Sequence, residues 1–444
     1  MTVNHGSDPG RRLVLGATAG AAVALAAAGT AHAGTAHAGT TRAGGHGAGR
    51  ARIDQRSVDR AAARLEADLV AVRRDLYAHP GTAGEEDHVA RVTAARLRAA
   101  GLEVTEGVAG HGVVAVLRGA LPGRTVAYRA DVDAVPAKGV QTPGGAPGPV
   151  HACGHDLHAT IGIGVAEVLA GLRHRLAGTV VFLFQPAEET LQGAAAMIAA
   201  GVLRDHAPRE IHALHCGPFP VGTLAVTPGV GLPGQDQATV TFGGPDPAAS
   251  AAAFAAAHHA LGTVAFPKEA DLERLVEQVR TPDGPLAEFL VTKASDPEPA
   301  SDGRLSVRAA YRCWPEARWP EVRERIRALA RTFPDTTVAF RPEPFPALVC
   351  PEDEANALAR HLRHRLGPRA VTTLYAAFPF NGEDYSLFLR QLPGTYTFLG
   401  VRTPGAPMDT AFPHYPAFTP DERAIGVGVR AMAGWLAERT AHRA

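Results

Sequence analysis

Between residues 57 and 80 apolar side chains recur every three or four positions, in SVDRAAARLEADLVAVRRDLYAHP. That spacing predicts an amphipathic helix, with Ser57 as N-cap and Pro80 as stop. A second helix is predicted from about Glu85 to Ala100, closed by Gly101. The period then shortens. GVVAVLRG (112–119) and RTVAYRADVD (124–133) read as strands, a helix follows residue 158, and GTVVFLFQPAEE (178–189) reads as a buried strand. Strands alternating with helices predict an α/β domain with a largely parallel sheet.

The middle of the chain has another rhythm. QDQATVTFGG (235–244) alternates as a strand does, and an Ala-rich helix follows from about Pro247 to Leu261. LAEFLVTKA and GRLSVRAAYR are predicted strands, WPEVRERIRALART a helix and TTVAFRPE a strand. This order predicts a small α+β unit. From about Pro351 the helix–strand alternation resumes and runs to a final helix after Thr419. The expected organisation is a split catalytic-type domain, 56–228 and 342–444, interrupted by an insert at 229–341.

Residues 1–38 read as an export signal: Arg11-Arg12 precede an apolar Ala-rich run, and AHAG occurs twice, at 31–34 and 36–39. The run is short for a membrane span and is followed by small residues, so no stable membrane anchor is expected. The paired arginines suggest the twin-arginine route to a secreted, extracellular protein; an ordinary secretory signal is the alternative. Residues 39–55 read as a flexible linker. Lys+Arg and Asp+Glu are both 44, so no charge excess points to nucleic acid. Cys153, Cys216, Cys313 and Cys350 are too few for a disulfide scaffold, although Cys313 and Cys350 could pair in an exported protein.

The candidate chemistry centres on HACGHDLHAT (151–160). Thiolate and imidazole both suit zinc-like metals, so Cys153 and His155 form a candidate ligand pair; alone, C-x-H is weak evidence. His151 and His158 could orient ligands or simply belong to a polar loop. In FQPAEE, Glu188 and Glu189 follow an apolar strand, where the chain should emerge at the carboxyl end of the sheet. On extended chain, neighbours point to opposite sides, so one carboxylate could hold a metal while the other faces a substrate. Asp131 and Asp133 lie at another predicted strand end, where two aspartates could also merely make a turn. His212 and His215 in HALHCGPFPVG, and His414 in PHYPAFTPDE, complete the candidates.

The ordered set RADVDAVP, HACGHDLH, FQPAEE, LHCGPFPVG, GEDYSLF and HYPAF resembles the dinuclear-metal aminoacylase and carboxypeptidase superfamily. The similar branch holds hippurate hydrolases and indole-acetyl-amino-acid amidohydrolases. The resemblance spans about residues 60–228 and 345–435. It implies a metal-dependent amidohydrolase acting on an N-acyl amino acid or short peptide-like amide, and permits a homodimer. It implies two divalent metal ions, zinc first, with manganese, cobalt or nickel as alternatives. Cys153, His155, Glu189, His215 and His414 match the metal ligands, with Cys153 as bridge. Glu188 matches the general base, and Asp131 and Asp133 a supporting pair. The insert departs from the pattern. Where the family carries a Gly-Gly-His-Ala-type motif, this chain reads TFGGPDPAAS; its Asn-Val-Ile-Pro motif is missing, and Gly382 stands where Ser is frequent. His258 and His259 read as packing or surface residues.

Two other readings compete: a catalytically weak binding or accessory protein on the same scaffold, and Cys153 as a covalent nucleophile paired with His155. The second predicts inactivation by alkylation and indifference to chelators. Export through the twin-arginine route has its own test. Replacing Arg11 and Arg12 by Lys should leave precursor inside the cell, and unchanged secretion would exclude that route.

Overall fold

The computed structural model describes residues 53–136 and 148–441. The expected signal and most of the linker lie outside the described residues. The first helix, α1 (Gln55–Ala78), begins ahead of the predicted N-cap. Asp54 takes that role, accepting the Ser57 N–H at 2.8 Å, and Ser57 sits inside the first turn. A carboxylate three residues ahead meets the orphan N–H groups first.

The large sheet contains β1 (Glu103–Val108), β2 (Gly112–Arg118), β3 (Leu121–Asp131), β6 (Ala177–Gln185), β7 (Ile211–Pro220), β8 (Leu224–Val226), β16 (Val371–Thr373) and β17 (Gly394–Arg402). Its order is β1-β2-β6-β3-β7-β17-β8-β16. The central pairs β6–β3, β3–β7 and β7–β17 are parallel, whereas β1–β2, β2–β6 and β17–β8 are antiparallel. The sheet is therefore mixed, with a parallel centre.

Two helices, α3 (His155–Gly171) and α11 (Arg423–Thr440), pack with α1 over one face, and α2 (Asp87–Ala99) lies toward the β1–β2 edge. Residues 155–166 of α3 are buried without exception. A helix surrounded by protein on every side has no need of a polar stripe. The shorter α4 (Gly193–Ala199) and α5 (Val202–His206) lead to β7; α9 (Glu352–Leu366) and α10 (Ser386–Leu389) flank β16.

The smaller domain is a second, antiparallel sheet. It joins β10 (Asp236–Phe242), β11 (Phe289–Ala294), β12 (Glu298–Pro299), β13 (Leu305–Trp314) and β14 (Thr336–Phe340), in the order β11-β13-β10-β14 with β12 beside β13. Alternate residues of β10 face a core with Phe254 of α6 (Pro247–His259) and Ile326 of α8 (Trp319–Ala330). His258 is buried there against Phe254, its Nε2 3.1 Å from the Ala310 carbonyl, so it packs as expected. Two-residue pairs join β4 (Val135–Pro136) with β5 (Pro149–Val150) and, beside the crossings to the smaller domain, β9 (Gly231–Leu232) with β15 (Leu348–Val349). Cys313 and Cys350 do not pair. Both are buried free thiols, and Cys350 Sγ accepts the Tyr396 N–H at 3.1 Å.

In the sequence the segment after α6 reads as connection only. Residues 263–288 leave the smaller sheet and cross to the large domain, carrying α7 (Leu272–Val279). Leu272, Leu275, Val276 and Val279 follow helical spacing and are buried in the same cluster as Ala225 and Phe398 of the large sheet. The Tyr375 N–H donates to Val279 O at 2.8 Å, and Arg402 pairs with Glu273 at 2.7 Å. Eight residues give too short a window for the period to stand out, although the i, i+3, i+4, i+7 spacing is present.

Glu210, at the start of β7, fixes the end of α11. It accepts Arg439 Nε at 2.9 Å and Arg124 Nη2 at 2.6 Å. Burial opposes its charge, but His212 and Arg439 hold its carboxyl down from 4.5 to about 2. A carboxyl depressed in the folded state stabilises above its unfolded value and loses that effect as pH falls through its folded value. Glu210→Gln should therefore cost about 2–3 kcal/mol of unfolding free energy at pH 7. The gap from the parent should close between pH 4.5 and 2, as read by urea denaturation across that range.

Candidate active site

The parallel strands β3, β6 and β7 bring their carboxyl ends to one side of the sheet, where open α/β folds place their sites. Gly154 caps α3 with φ +85°, and a Cβ there would lie 2.5 Å from Cys216 Sγ. Glycine is required on both counts. The helix therefore starts at His155, not after residue 158, and HACGHD delivers Cys153 and His155 at its mouth. His155 Nδ1 donates to the Asp133 carbonyl at 2.9 Å, which leaves Nε2 facing the site, buried and without a hydrogen-bond partner. His158 differs. Its Nδ1 meets Asp131 Oδ1 at 2.5 Å and its Nε2 accepts the Cys216 N–H at 2.8 Å. Both nitrogens are engaged, so His158 positions β7 and offers no lone pair to a ligand. His151 is buried, and burial lowers its ring to about 4.

Glu188 and Glu189 do not lie on extended chain. Strand β6 ends at Gln185, and the chain turns through Ala187 and Leu191, both with positive φ. The opposite orientation of neighbours expected for a strand does not apply. The Asp133 carboxylate holds the turn instead, accepting the Glu188 N–H at 3.1 Å and the Glu189 N–H at 3.0 Å. Asp131 and Asp133 have separate tasks: one orients His158, the other presents two glutamates.

The predicted donors converge. Glu189 Oε1 lies 3.5 Å from His414 Nε2 and 3.9 Å from His155 Nε2, and Cys153 Sγ is 3.3 Å from His215 Nε2. Glu188 Oε2 is 3.9 Å from His155 Nε2. His414 adopts φ +66°, an uncommon conformation for a histidine, and its N–H donates to Ala152 O at 2.8 Å. Cys153, Glu188, Glu189, His215 and His414 line one cavity of about 490 Å³.

These donors fit metal ions. Glu189 Oε1 and His155 Nε2 are buried without hydrogen-bond partners. Burial, then Glu189, Glu188 and Asp131, push the Cys153 thiol well up, so no thiolate is favoured there without added positive charge. That argues against a self-standing thiolate nucleophile. Although burial disfavours its cation, Asp131, Asp133 and Glu189 raise the His155 ring to about 10. The site carries an excess of negative charge around soft and borderline donors, which is the environment a zinc-like cation neutralises.

Behind the donors lies a network that the sequence reading left unassigned. Arg129 is fully buried, 2.5 Å from Asp131, 2.9 Å from Glu383 and 3.2 Å from Asp384. Gln185 bridges Arg129 and Asp384, and Asp384 Oδ2 accepts the Ala194 N–H at 2.9 Å. Burial, then Glu383, Glu189 and Asp384, raise the Glu188 carboxyl well above the ordinary range. Arg129 belongs to RADVDAVP, and Glu383 and Asp384 to GEDYS; charges inside otherwise apolar runs were the available signal.

The smaller domain adds a cation. Arg312, on β13, reaches the cavity, where Nη2 donates to Gln235 at 2.8 Å and Nη1 is buried without a partner. Burial lowers its guanidinium to about 10, with Glu188 opposing. A Cβ on Gly382 would lie 2.6 Å from Arg312 Nη1, the flexible end of that side chain, so Gly382 and Arg312 are close neighbours at the cavity.

Fold and site together define the class: hydrolases of carbon–nitrogen amide bonds, with metal-binding donors at the ends of a partly parallel sheet. The chain belongs to Peptidase family M20/M25/M40, whose pattern matches residues 127–438. It is 27% identical over 401 residues to an N-acetyldiaminopimelate deacetylase of Streptococcus thermophilus, covering 84% of this chain and 98% of that one. It is 28% identical over 386 residues to an N-acetylcysteine deacetylase of Bacillus subtilis, covering 82% and 95%. The solved structure of the Bacillus subtilis YxeP protein, a dinuclear metal-binding peptidase of the M20 family, superposes with TM-score 0.65 at 26% identity. That likeness covers 85% of this chain and 99% of YxeP.

The Asp133 hydrogen bonds yield a test. Asp133→Ala leaves two N–H groups of the glutamate turn without their acceptor and should lower stability by about 2–4 kcal/mol. Denaturant unfolding reads the loss. A change below about 0.5 kcal/mol, within the range of an ordinary surface substitution, would show that the carboxylate does not hold the turn.

Proposed function

We propose that the chain hydrolyses the amide bond of an N-acyl amino acid or a similar small amide, with Glu188 as general base. The observation that carries this reading is the placement of Glu188. It is buried, raised in pKa, and hung by its backbone from Asp133 beside the candidate metal donors. Two divalent ions held by Cys153, His155, Glu189, His215 and His414 would supply Lewis acidity for the carbonyl oxygen and acidify a water toward neutrality. Thiolate and imidazole donors favour zinc in this proposal. Glu188 takes a proton from the attacking water and returns it to the departing nitrogen. Asp133 fixes the turn from which both glutamates reach the cavity. Arg312 is the one Arg or Lys among the described lining residues, and its free Nη1 suits a substrate carboxylate. The relatives named as deacetylases support an N-acyl amino acid. Export by the twin-arginine route belongs to the same proposal and rests on Arg11-Arg12 and the AHAG repeats.

The two glutamates separate the roles. Glu188→Gln keeps size and hydrogen bonding but cannot take a proton. Turnover should fall by roughly 10²–10⁴-fold while metal content stays near that of the parent. Glu189→Gln removes a charge from the donor set and should lower metal occupancy, with excess metal restoring part of the activity. Elemental analysis and kinetics on both variants decide. Equal metal loss in both, or undiminished turnover in Glu188→Gln, would sink the assignment. Failure of the metal-loaded parent to turn over any N-acyl amino acid would favour an accessory protein.

A further inference from the structure

A second group of metal-type donors stands where α1 ends and α2 begins, and none of its members lines the active-site cavity. Asp75 and His79 are four residues apart at the end of α1, which puts both on one helix face. His88, in the first turn of α2, meets them from across the intervening loop. One ring nitrogen of each histidine and one Asp75 carboxylate oxygen lie within 4.8 Å of one another.

The contacts made there are ones a cation can take over. His88 Nε2 meets Asp75 Oδ2 at 2.8 Å. His79 Nδ1 lies 2.9 Å from the Asp75 carbonyl and 3.3 Å from Asp75 Oδ1. The two rings are stacked, with centroids 4.3 Å apart. Carbonyl and carboxylate oxygens only accept, so both nitrogens carry their protons toward Asp75. A zinc-like ion replaces such protons, because it binds the bare imidazole nitrogen and the ionised carboxylate. Two imidazoles and a carboxylate suit zinc, with a further position open to water. One neighbour opposes the ion. Arg91, exposed on α2, donates Nη2 to His88 Nδ1 at 2.9 Å, which keeps the proton on Nε2. Metal on Nε2 requires that proton at Nδ1, so Arg91 must turn away.

The donors also bracket a loop that reaches the active site. Between His79 and His88, the Gly81 carbonyl accepts the Ala134 N–H at 2.8 Å, and the buried Glu86 accepts the Ala187 N–H at 3.0 Å. Ala134 follows Asp133, and Ala187 precedes Glu188. We infer that Asp75, His79 and His88 form a site for a zinc-like divalent ion, separate from the catalytic donors, that clips the end of α1 to the start of α2 and braces this loop. The site does not depend on the function proposed above, because its readouts are binding and stability.

The experiment titrates the full chain with zinc by calorimetry and by equilibrium dialysis with elemental analysis. The parent should bind one zinc per chain more than His88→Ala. His79→Ala and Asp75→Asn should weaken that ion by at least about 10–100-fold, the range lost when even an outer partner of a ligand is removed. Arg91→Ala should bind it about five-fold more tightly, the worth of one exposed charge at about 4 Å. Zinc should raise the thermal midpoint of the parent by about 2 °C more than that of His88→Ala. Magnesium, which prefers oxygen donors in octahedra, should do neither. The His79 and His88 side chains are 56% and 23% exposed, so their removal takes little from the core, and matching midpoints before zinc is added check this. Equal zinc stoichiometry in the parent and His88→Ala overturns the site. A magnesium response equal to that for zinc, or weaker binding by Arg91→Ala, overturns it as well.

Discussion

One guanidinium, that of Arg129, stands in the dry interior among three carboxylates. Isolated charges of this kind would each cost several kcal/mol to bury, and they are tolerated only when paired and hydrogen-bonded. Here the pairing crosses the molecule. Arg129 and Asp131 lie on a central strand, Gln185 ends its neighbour, and Glu383 and Asp384 come from the loop before the last strand of the sheet. Removing any member would leave the others unmatched in low dielectric. The network therefore fixes where the strand ends stop relative to one another, and the donors above it inherit that spacing.

The consequence for chemistry lies in the balance of charge. Arg129 is shared among carboxylates that Glu188 also feels, and it does not neutralise them all. Burial first, and then these carboxylates, keep Glu188 high in pKa, and burial with Glu189, Glu188 and Asp131 raises the Cys153 thiol. The proposed base and the candidate metal donors thus lie beside one cavity in one anion-rich field, with the Asp133 carboxylate setting the geometry of the glutamate turn.

Much of this could be read from the chain because the donors sit in short segments with strong local signals. HACGHDLHAT offered a candidate ligand pair, and the strands feeding it had clear two-residue alternation or apolar runs. What escaped was non-local. The glutamate pair was read as extended because FQPAEE continues an apolar strand; only Asp133, 55 residues upstream of Glu188, turns the chain. Arg129 looked like a strand residue, and its partners Glu383 and Asp384 are more than 250 positions away. Arg312 acquires meaning from Gly382 beside it, a contact no spacing rule expresses. His158, read as an orienting residue or as part of a polar loop, takes its place from two hydrogen bonds that sequence does not express.

The segment bearing α7 also bears on how the two domains move. The crossings between them near residues 235 and 345 are bonded to each other, Gln235 N to Phe345 O at 3.0 Å, and run side by side. A body held along one line can swing about it like a door. The α7 contacts add a support away from that line, through Leu272, Leu275, Val276 and Val279 in the large core. A door latched on its free side has no swing left. Separating the two domains would therefore require that apolar surface to be peeled from the large core.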